Sequence, residues 1–334
     1  MANRLAVVFG GSGFIGRHVV QRLAAQGWRV RVACQDTEAA AFLKPLGDVG
    51  QVVPFYANVL KDDSVANVLT GAELVVNCVG ILYERGKKSF QAIHVEAAGR
   101  IAAAAKAVGA SKLVHISALG ADANSASLYA QTKAAGEQAV LAAFPTATIL
   151  RPSVVFGPED KFFNGFAQLS TYTPVLPVFV KDGFKPVFCG KIPCGIDLYG
   201  SGGTKFQPVY VGDVAQAVIN AAGSDAAAGK TFTLVGPAVY SFKQILEMSV
   251  AAAGRCRLIV PKPFFAAKIV AFFTQFLPKP LLTPDQVKLM EVDNVAPEGA
   301  PGLAELGIAP TAAELILPTY LSRFKNPYVH RVPV

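Results

Sequence analysis

The chain has 334 residues, 52% of them hydrophobic, and a net charge of +8. That length holds one large α/β domain with a smaller second lobe, and that hydrophobicity excludes a disordered chain. No dense Lys/Arg run interleaved with aromatics occurs, so nucleic acid is not the expected partner; the charge suits phosphates, an anionic membrane surface, an acidic protein face or a plain solvated surface.

The apolar run from Leu5 to Phe9 predicts a first strand. Gly10-Gly11-Ser12-Gly13-Phe14-Ile15-Gly16 follows as a tight turn, and residues 17–26 resume with helical spacing. Gly10 and Gly13 offer backbone angles closed to other residues and a close approach for a ligand, and Gly16 lets helix and strand pack tightly. Free N–H groups at Phe14, Ile15 and Gly16 and the positive end of the helix dipole attract a pyrophosphate. Strand, glycine turn and helix in that order predict a dinucleotide site.

Gly27 ends the helix, and residues 28–33 read as a second strand. In dinucleotide folds the end of this strand meets the adenosine ribose and selects between a 2′-hydroxyl and a 2′-phosphate. Here it reads Cys34-Gln35-Asp36. Cys34 brings no carboxylate for a hydroxyl, and no Arg follows it for a phosphate. Arg17 is the nearest cation and Asp36 opposes it. The balance favours NADP(H) over NAD(H).

Residues 52–57 predict a third strand, 62–69 a short helix and 74–79 a fourth strand. That strand places Asn77, Val79 and Gly80 at the carboxyl edge of a parallel sheet, where such folds bind ligands. An Ala-rich helix over 90–108 ends at Gly109. A fifth strand, 113–116, leads to Ser117. Ser125 to Ser127 cap a helix over 128–143. Tyr129 and Lys133 are four apart on it and share one face. A Tyr beside an ammonium has its phenolate favoured, which suits proton transfer at a substrate oxygen that Ser117 would hold. In the plainer reading Lys133 pairs with Glu137, one turn on.

Residues 148–150 form a sixth strand, ending at Arg151-Pro152, where Pro152 fixes the exit from the sheet. A helix is expected over 163–172, then loops and short strands over 174–203. Residues 206–215 read as a strand and a helix capped by Asp213. A strand over 232–235 and a helix from Ser241 to about Ala253 follow. Residues 264–277 are very apolar and lie between two Pro-Lys-Pro triplets. Fourteen residues cannot span a bilayer; packing inside the second lobe is the expectation, with a helix lying on a membrane or partner as the alternative. Residues 320–334 read as an extended basic arm. The domain reading is a dinucleotide-binding unit over 1–160, with 204–236 returning to it, and a smaller lobe over 161–203 and 237–334.

The five cysteines are odd in number and scattered, which fits a reducing compartment. Cys78 reads as a core residue. Cys189 and Cys194 have no second Cys/His pair at matching spacing, so no metal is expected. No leader pattern precedes the first strand, and no apolar stretch reaches bilayer length. A cytoplasmic protein is expected, or one in peripheral contact with a membrane.

With Gly10 to Gly16, Tyr129, Lys133, Arg151-Pro152 and Gly157-Pro158 in view, the chain resembles the extended and atypical short-chain dehydrogenase/reductases. These have a Rossmann-type doubly wound parallel sheet and a smaller C-terminal lobe. Within that superfamily residues 43–51, 150–162 and 206–214 are similar to the NAD(P)H-binding accessory subunits of respiratory complex I and their bacterial relatives, over roughly the first two-thirds of the chain. The resemblance implies a tightly held, structural dinucleotide, a seat on the peripheral arm near the quinone-binding region, on the cytoplasmic or matrix side, and no established turnover of its own. The alternative is a free NAD(P)-dependent oxidoreductase or epimerase using Ser117, Tyr129 and Lys133. Two departures stand out: the missing Arg after the second strand, and 178–198, which reads as extra sequence.

Overall fold

The computed structural model describes residues 4–181, 185–189, 192–277, 280 and 282–325, the side chains of 186–189 and 192–195 excepted. In chain order the main elements are β1 Leu5–Phe9, α1 Phe14–Ala25, β2 Arg29–Cys34, β3 Val52–Tyr56, α2 Asp62–Leu69, β4 Leu74–Asn77, α3 (a π-turn Gln91–Glu96 running into Ala97–Ala107), β5 Lys112–Ile116, α4 Leu128–Ala143 and β6 Thr148–Pro152. Then come β7 Val155–Phe156, α5 Phe163–Tyr172, β8 Val175–Val180, β9 Lys185–Cys189, β10 Ile192–Asp197, β11 Lys205–Phe206, β12 Val209–Tyr210, α6 Val211–Gly223, β13 Thr231–Leu234, β14 Tyr240–Ser241, α7 Phe242–Ala252, β15 Leu258–Pro263, α8 Phe264–Thr274, α9 Pro284–Met290 and α10 Ala313–Leu321.

Two units divide the chain. The first holds residues 1–153, 211–235 and 296–310. Its sheet, seven strands among the described residues, runs β13-β6-β5-β4-β1-β2-β3, and every pairing within it is parallel. Such strands are covered on both faces, which explains their near-continuous Val, Ile and Ala content. Val7, Phe9, Val75 and Ile149 are fully buried together with Ile101, Ala102 and Ala105 of α3 and Val65, Val68 and Leu69 of α2. Each large apolar side chain sealed this way contributes about 1.5–3 kcal/mol. The strand order reverses between β1 and β4. In doubly wound sheets that switch point opens a crevice at the carboxyl ends of the strands.

The second unit holds residues 154–210, 236–295 and 311–334. Phe156, Phe163, Phe206, Phe242, Leu246 and Leu317 form its core. Its strands pair in short ribbons: β7 with β12, β8 with β15, β9 with β10 and β11 with β14.

Several expectations need correction. Residues 296–310 return to the sheet unit rather than to the smaller lobe: Thr233 N–H donates to the Pro301 carbonyl at 2.7 Å and the Asn220 amide to that of Leu306 at 2.7 Å. Residues 154–160 and 204–210 belong to the second unit. Asp213 stands in the first turn of α6 and not before it. Tyr320 lies in a helix, not an extended arm, and its hydroxyl donates to buried Asp160 at 2.6 Å; residues 326–334 lie outside the described residues. The expected core helix at 264–277 is α8, and only Ala267 and Ala271 of it are buried. Within 178–198 the described residues form the end of β8 and the antiparallel pair β9 and β10. The side chains of Cys189 and Cys194 are not described; among the described residues no group of His, Cys, Asp and Glu could hold a metal.

Candidate functional site

At the sheet's switch point the carboxyl edge begins with the glycine turn. Gly10 has a φ of +70°, and a Cβ there would stand 3.0 Å from the Cys78 carbonyl oxygen. Glycine therefore serves both the backbone angle and the close contact between β1 and β4. A Cβ on Gly16 would fall 2.2 Å from the Gly10 carbonyl oxygen, so α1 meets the turn in contact that tolerates no side chain. Gly13 is different: its φ is −77°, open to any residue, and its constraint is a Cβ position 3.1 Å from the Gly10 oxygen. The expectation of a special backbone angle at Gly13 is thus corrected to one of space. Gly13 begins α1 without a side-chain cap, and no acid lies in the first turn. The uncapped N–H groups around Phe14 and Ile15, the dipole and the cradle a Cβ would fill all suit a pyrophosphate.

Arg17 folds back on this turn. Its guanidinium donates to the Gly13 carbonyl at 3.2 Å and the Ser12 carbonyl at 3.3 Å, and lies 4.8 Å from the centre of the Phe42 ring. Cys34 ends β2 as a buried thiol pointing at the Phe55 carbonyl, and burial raises its pKa. A cation that sequence reading missed stands nearby: the Lys88 ammonium donates to Gln35 at 3.1 Å. Asp36 is turned to the backbone N–H of Ala39 at 2.8 Å. Lys88 and Gln35 are 53 residues apart in sequence, so no local motif announces their meeting.

Asn77 is 2% exposed. Its carbonyl accepts from Val79 N–H at 3.0 Å, which turns its amide toward His115 Nδ1 at 3.1 Å. Asn77 therefore shapes the strand end, and Val79 and Gly80 present the edge itself. A Cβ on Gly80 would stand 3.7 Å from the Lys133 Nζ and 3.9 Å from His94 Nε2. His94, unflagged in the sequence, sits on the π-turn of α3. Its Nε2 accepts from Ile81 N–H at 3.2 Å. Its Nδ1 lies 3.2 Å from Thr132 Oγ1, whose own proton goes to the Leu128 carbonyl at 2.8 Å. That pattern assigns the Nδ1–H tautomer. Burial, reinforced by the Lys133 ammonium, lowers His94 to about 3. The π-turn pushes the His94 carbonyl outward, and Gly136 of α4 accommodates it: a Cβ there would be 2.0 Å from that oxygen.

On α4 the Ser127 side chain caps the helix as expected, and Tyr129 and Lys133 lie on the face turned to this edge. Tyr129 packs edge-on against Phe90 and His94, with ring centres 5.8 and 5.2 Å away. Burial pushes its hydroxyl up to about 12. This corrects the expectation that the ammonium favours its phenolate. Lys133 is buried, donates to the Ile116 carbonyl at 3.1 Å, and is lowered to about 8 by burial, with Glu137 and Cys78 opposing. The Ser117 hydroxyl donates to Glu137, whose two oxygens also take Arg151 at 2.9 and 2.6 Å. Ser117 is thus spent on a buried acid rather than offered to a substrate oxygen. Pro152 is buried at the end of β6, its carbonyl accepting from Leu119 N–H at 2.9 Å.

The sequence profile of the NAD dependent epimerase/dehydratase family matches residues 6–236. The mitochondrial NADH dehydrogenase (ubiquinone) 1 alpha subcomplex subunit 9 of Arabidopsis thaliana is 35% identical over 319 residues, 92% of this chain and 74% of that protein. Its counterpart in Mus musculus is 32% identical over 313 residues, 93% of this chain and 78% of that protein. The likeness therefore extends well beyond the first two-thirds of the chain. Among solved structures, the UDP-glucose 4-epimerase of Thermus thermophilus in complex with NAD covers 96% of this chain and 98% of its own, with a TM-score of 0.67 and 19% identity. At that identity the likeness is one of fold.

Proposed function

The chain belongs to the NAD dependent epimerase/dehydratase family, and we propose that it is an accessory subunit of respiratory complex I that holds a dinucleotide as a structural ligand. The observation that carries the second half is the state of the would-be catalytic groups. Ser117 is tied to Glu137, and burial makes the Tyr129 hydroxyl a weaker acid. An acid–base pair for turnover needs the reverse, a poised proton and a free hydroxyl. The glycine cradle needs neither group to bind. The first half rests on relatives named as subunits of NADH dehydrogenase.

Gly10, Gly13 and Gly16 with Phe14 and Ile15 would receive the pyrophosphate; Val79, Gly80, Tyr129, Lys133 and Pro152 would face the nicotinamide half. When bound, the nicotinamide can accept or donate a hydride. Lys133 orients by hydrogen bonding, and the glycine turn contributes binding. We assign NADP(H) in preference to NAD(H), supported by the absence of a carboxylate at Cys34 and by the cations Arg17 and Lys88 near the end of β2. The seat is assigned to the peripheral arm near the quinone-binding region, on the cytoplasmic face of the inner membrane or the matrix side of a mitochondrial one. No helix among the described residues is long and apolar enough to cross a membrane.

Gentle detergent extraction of native membranes, a native gel and mass spectrometry of the band with NADH dehydrogenase activity test this reading. Near-stoichiometric presence, with dinucleotide retained and cross-links to subunits of the quinone-binding region, is expected. Absence from that band, together with a hydride-transfer activity lost in Tyr129→Phe, would establish the free enzyme instead.

A further inference from the structure

The second unit displays an apolar surface on α8. Ala267 and Ala271 are its buried residues, and Phe264 packs beside them against Phe179. Phe265, Ile269, Val270, Phe272 and Phe273 are exposed, and Phe276 and Leu277 continue the surface in the following turn. At 3.6 residues per turn the five helical side chains occupy about 160° of the circumference. No hydrogen-bonding group interrupts that arc, and Phe273 and Phe276 are 68% and 76% exposed. Phe272 packs edge-on with both. An exposed aromatic surface of this extent marks a contact site.

The charge around it is net positive. The second unit has fifteen Lys and Arg against nine Asp and Glu, a net +6 of the chain's +8. Residues 255–293 contain Arg255, Arg257, Lys262, Lys268, Lys279 and Lys288 against Asp285, Glu291 and Asp293. Lys262 is exposed immediately before the helix. The Lys181 ammonium lies 5.9 Å from the Phe264 ring centre. Lys268 stands at the rim of the apolar arc and reaches Glu291 at 2.8 Å. Protein interfaces of ordinary kind match polar groups about once per 100–200 Å². This arc has none to match, whereas hydrocarbon asks for none.

We infer that α8 is an interfacial anchor, lying in the plane of an anionic lipid bilayer with Phe265, Ile269, Phe272, Phe273 and Phe276 sunk below the headgroups and the exposed Lys262 paired with lipid phosphate. Eleven residues make a helix of about 16 Å, roughly half the hydrocarbon thickness, so it lies on the membrane and does not cross it. The anchor does not depend on complex I membership, since lipid contact is a property of the isolated chain.

The test is flotation of the purified full-length chain with phosphatidylcholine vesicles and with vesicles containing roughly a third phosphatidylglycerol. The wild type should float with the anionic vesicles and release at high salt. Phe273→Glu/Phe276→Glu should weaken flotation by about tenfold or more; both side chains face solvent, so its melting temperature and circular dichroism should match the wild type. Wild type left behind by both vesicle types, or a variant that floats as well as the wild type, overturns the anchor. So does a concentration-dependent dimer that the variant abolishes without any vesicle binding. Loss of the variant from the complex I band while wild type ignores vesicles also overturns it, assigning the face to a protein. None of these outcomes touches the dinucleotide reading.

Discussion

The Glu137 carboxylate grips the Arg151 guanidinium through both oxygens, at 2.9 and 2.6 Å, and the same carboxylate takes the Ser117 hydroxyl. The segment leaving β5, together with α4 and β6, is thereby tied at the carboxyl edge of the sheet. Arg151 keeps a third of its side chain in solvent while Glu137 is nearly sealed, so the pair is desolvated mainly on the acid's side. Glu137→Gln should lower stability by about 1.5–3 kcal/mol, the range for charged hydrogen bonds. Urea denaturation checks this. A cost under about 0.5 kcal/mol, the level of an ordinary surface substitution, would mean the pair is dispensable.

Lys133 links the site to pH. Its ammonium is lowered to about 8 by burial, so it is charged below that pH and neutral above it. Affinity for the anionic dinucleotide should hold from about pH 6 to 7.5 and decline as pH rises through 8. Lys133→Met should bind about tenfold more weakly near neutral pH, the equivalent of one net hydrogen bond, and should lose the pH dependence. A fluorescence titration of NADPH across pH reads both.

His94 and His115 are both lowered to about 3, chiefly by burial and then by the Lys133 ammonium. The unfolded chain protonates them at the ordinary 6.5. Between pH 6.5 and 3 the unfolded state therefore binds two more protons than the folded one, and stability falls as pH falls through that window. Each histidine contributes a slope of about 1.4 kcal/mol per pH unit. Denaturation curves at about pH 7, 6 and 5 should show this, and His115→Gln should roughly halve the slope over the lower half of that range. An unchanged slope in the variant would show that His115 is not held neutral.

Two glycines separate strain from space. Gly27 has a φ of +79° with nothing within 4 Å of an added Cβ, whereas Gly16 would put that carbon 2.2 Å from a carbonyl oxygen. Gly27→Ala should cost about 1–2 kcal/mol and leave dinucleotide binding intact. Gly16→Ala should abolish binding, because α1 must back away from the turn. Calorimetric titration of both variants distinguishes them.

In the second unit the Tyr320 hydroxyl donates to Asp160 at 2.6 Å, and Asp160 also accepts from the N–H groups of Gly157 and Asn164, each at 3.1 Å. Arg323 donates to Asn164 at 2.6 Å. Tyr320→Phe should cost about 1.5–3 kcal/mol. Thermal melts of the variant check it; a melt superposable on wild type would show that the clamp contributes nothing.

The sheet unit was legible because its signals are local. Glycines at 10 and 16, alternation of apolar runs with Ala-rich helices, and Ser127 before α4 each declare an element within a few residues of chain. The positions of Tyr129 and Lys133 on one face follow from helical spacing alone. What those groups do was not local. Tyr129 is weakened as an acid by its burial against the rings of Phe90 and His94, Ser117 is claimed by a carboxylate 20 residues on, and Lys88 reaches Gln35 across 53 residues. Burial and partners set a side chain's chemistry, and both depend on which distant elements meet. The apolar pattern of 264–277 has the same cause. Sequence by itself determined that the stretch is apolar and too short to cross a bilayer. Only the tertiary structure decided which way it faces, because packing buried Ala267 and Ala271 with Phe264 beside them and left Phe265, Phe272, Phe273 and Phe276 outside.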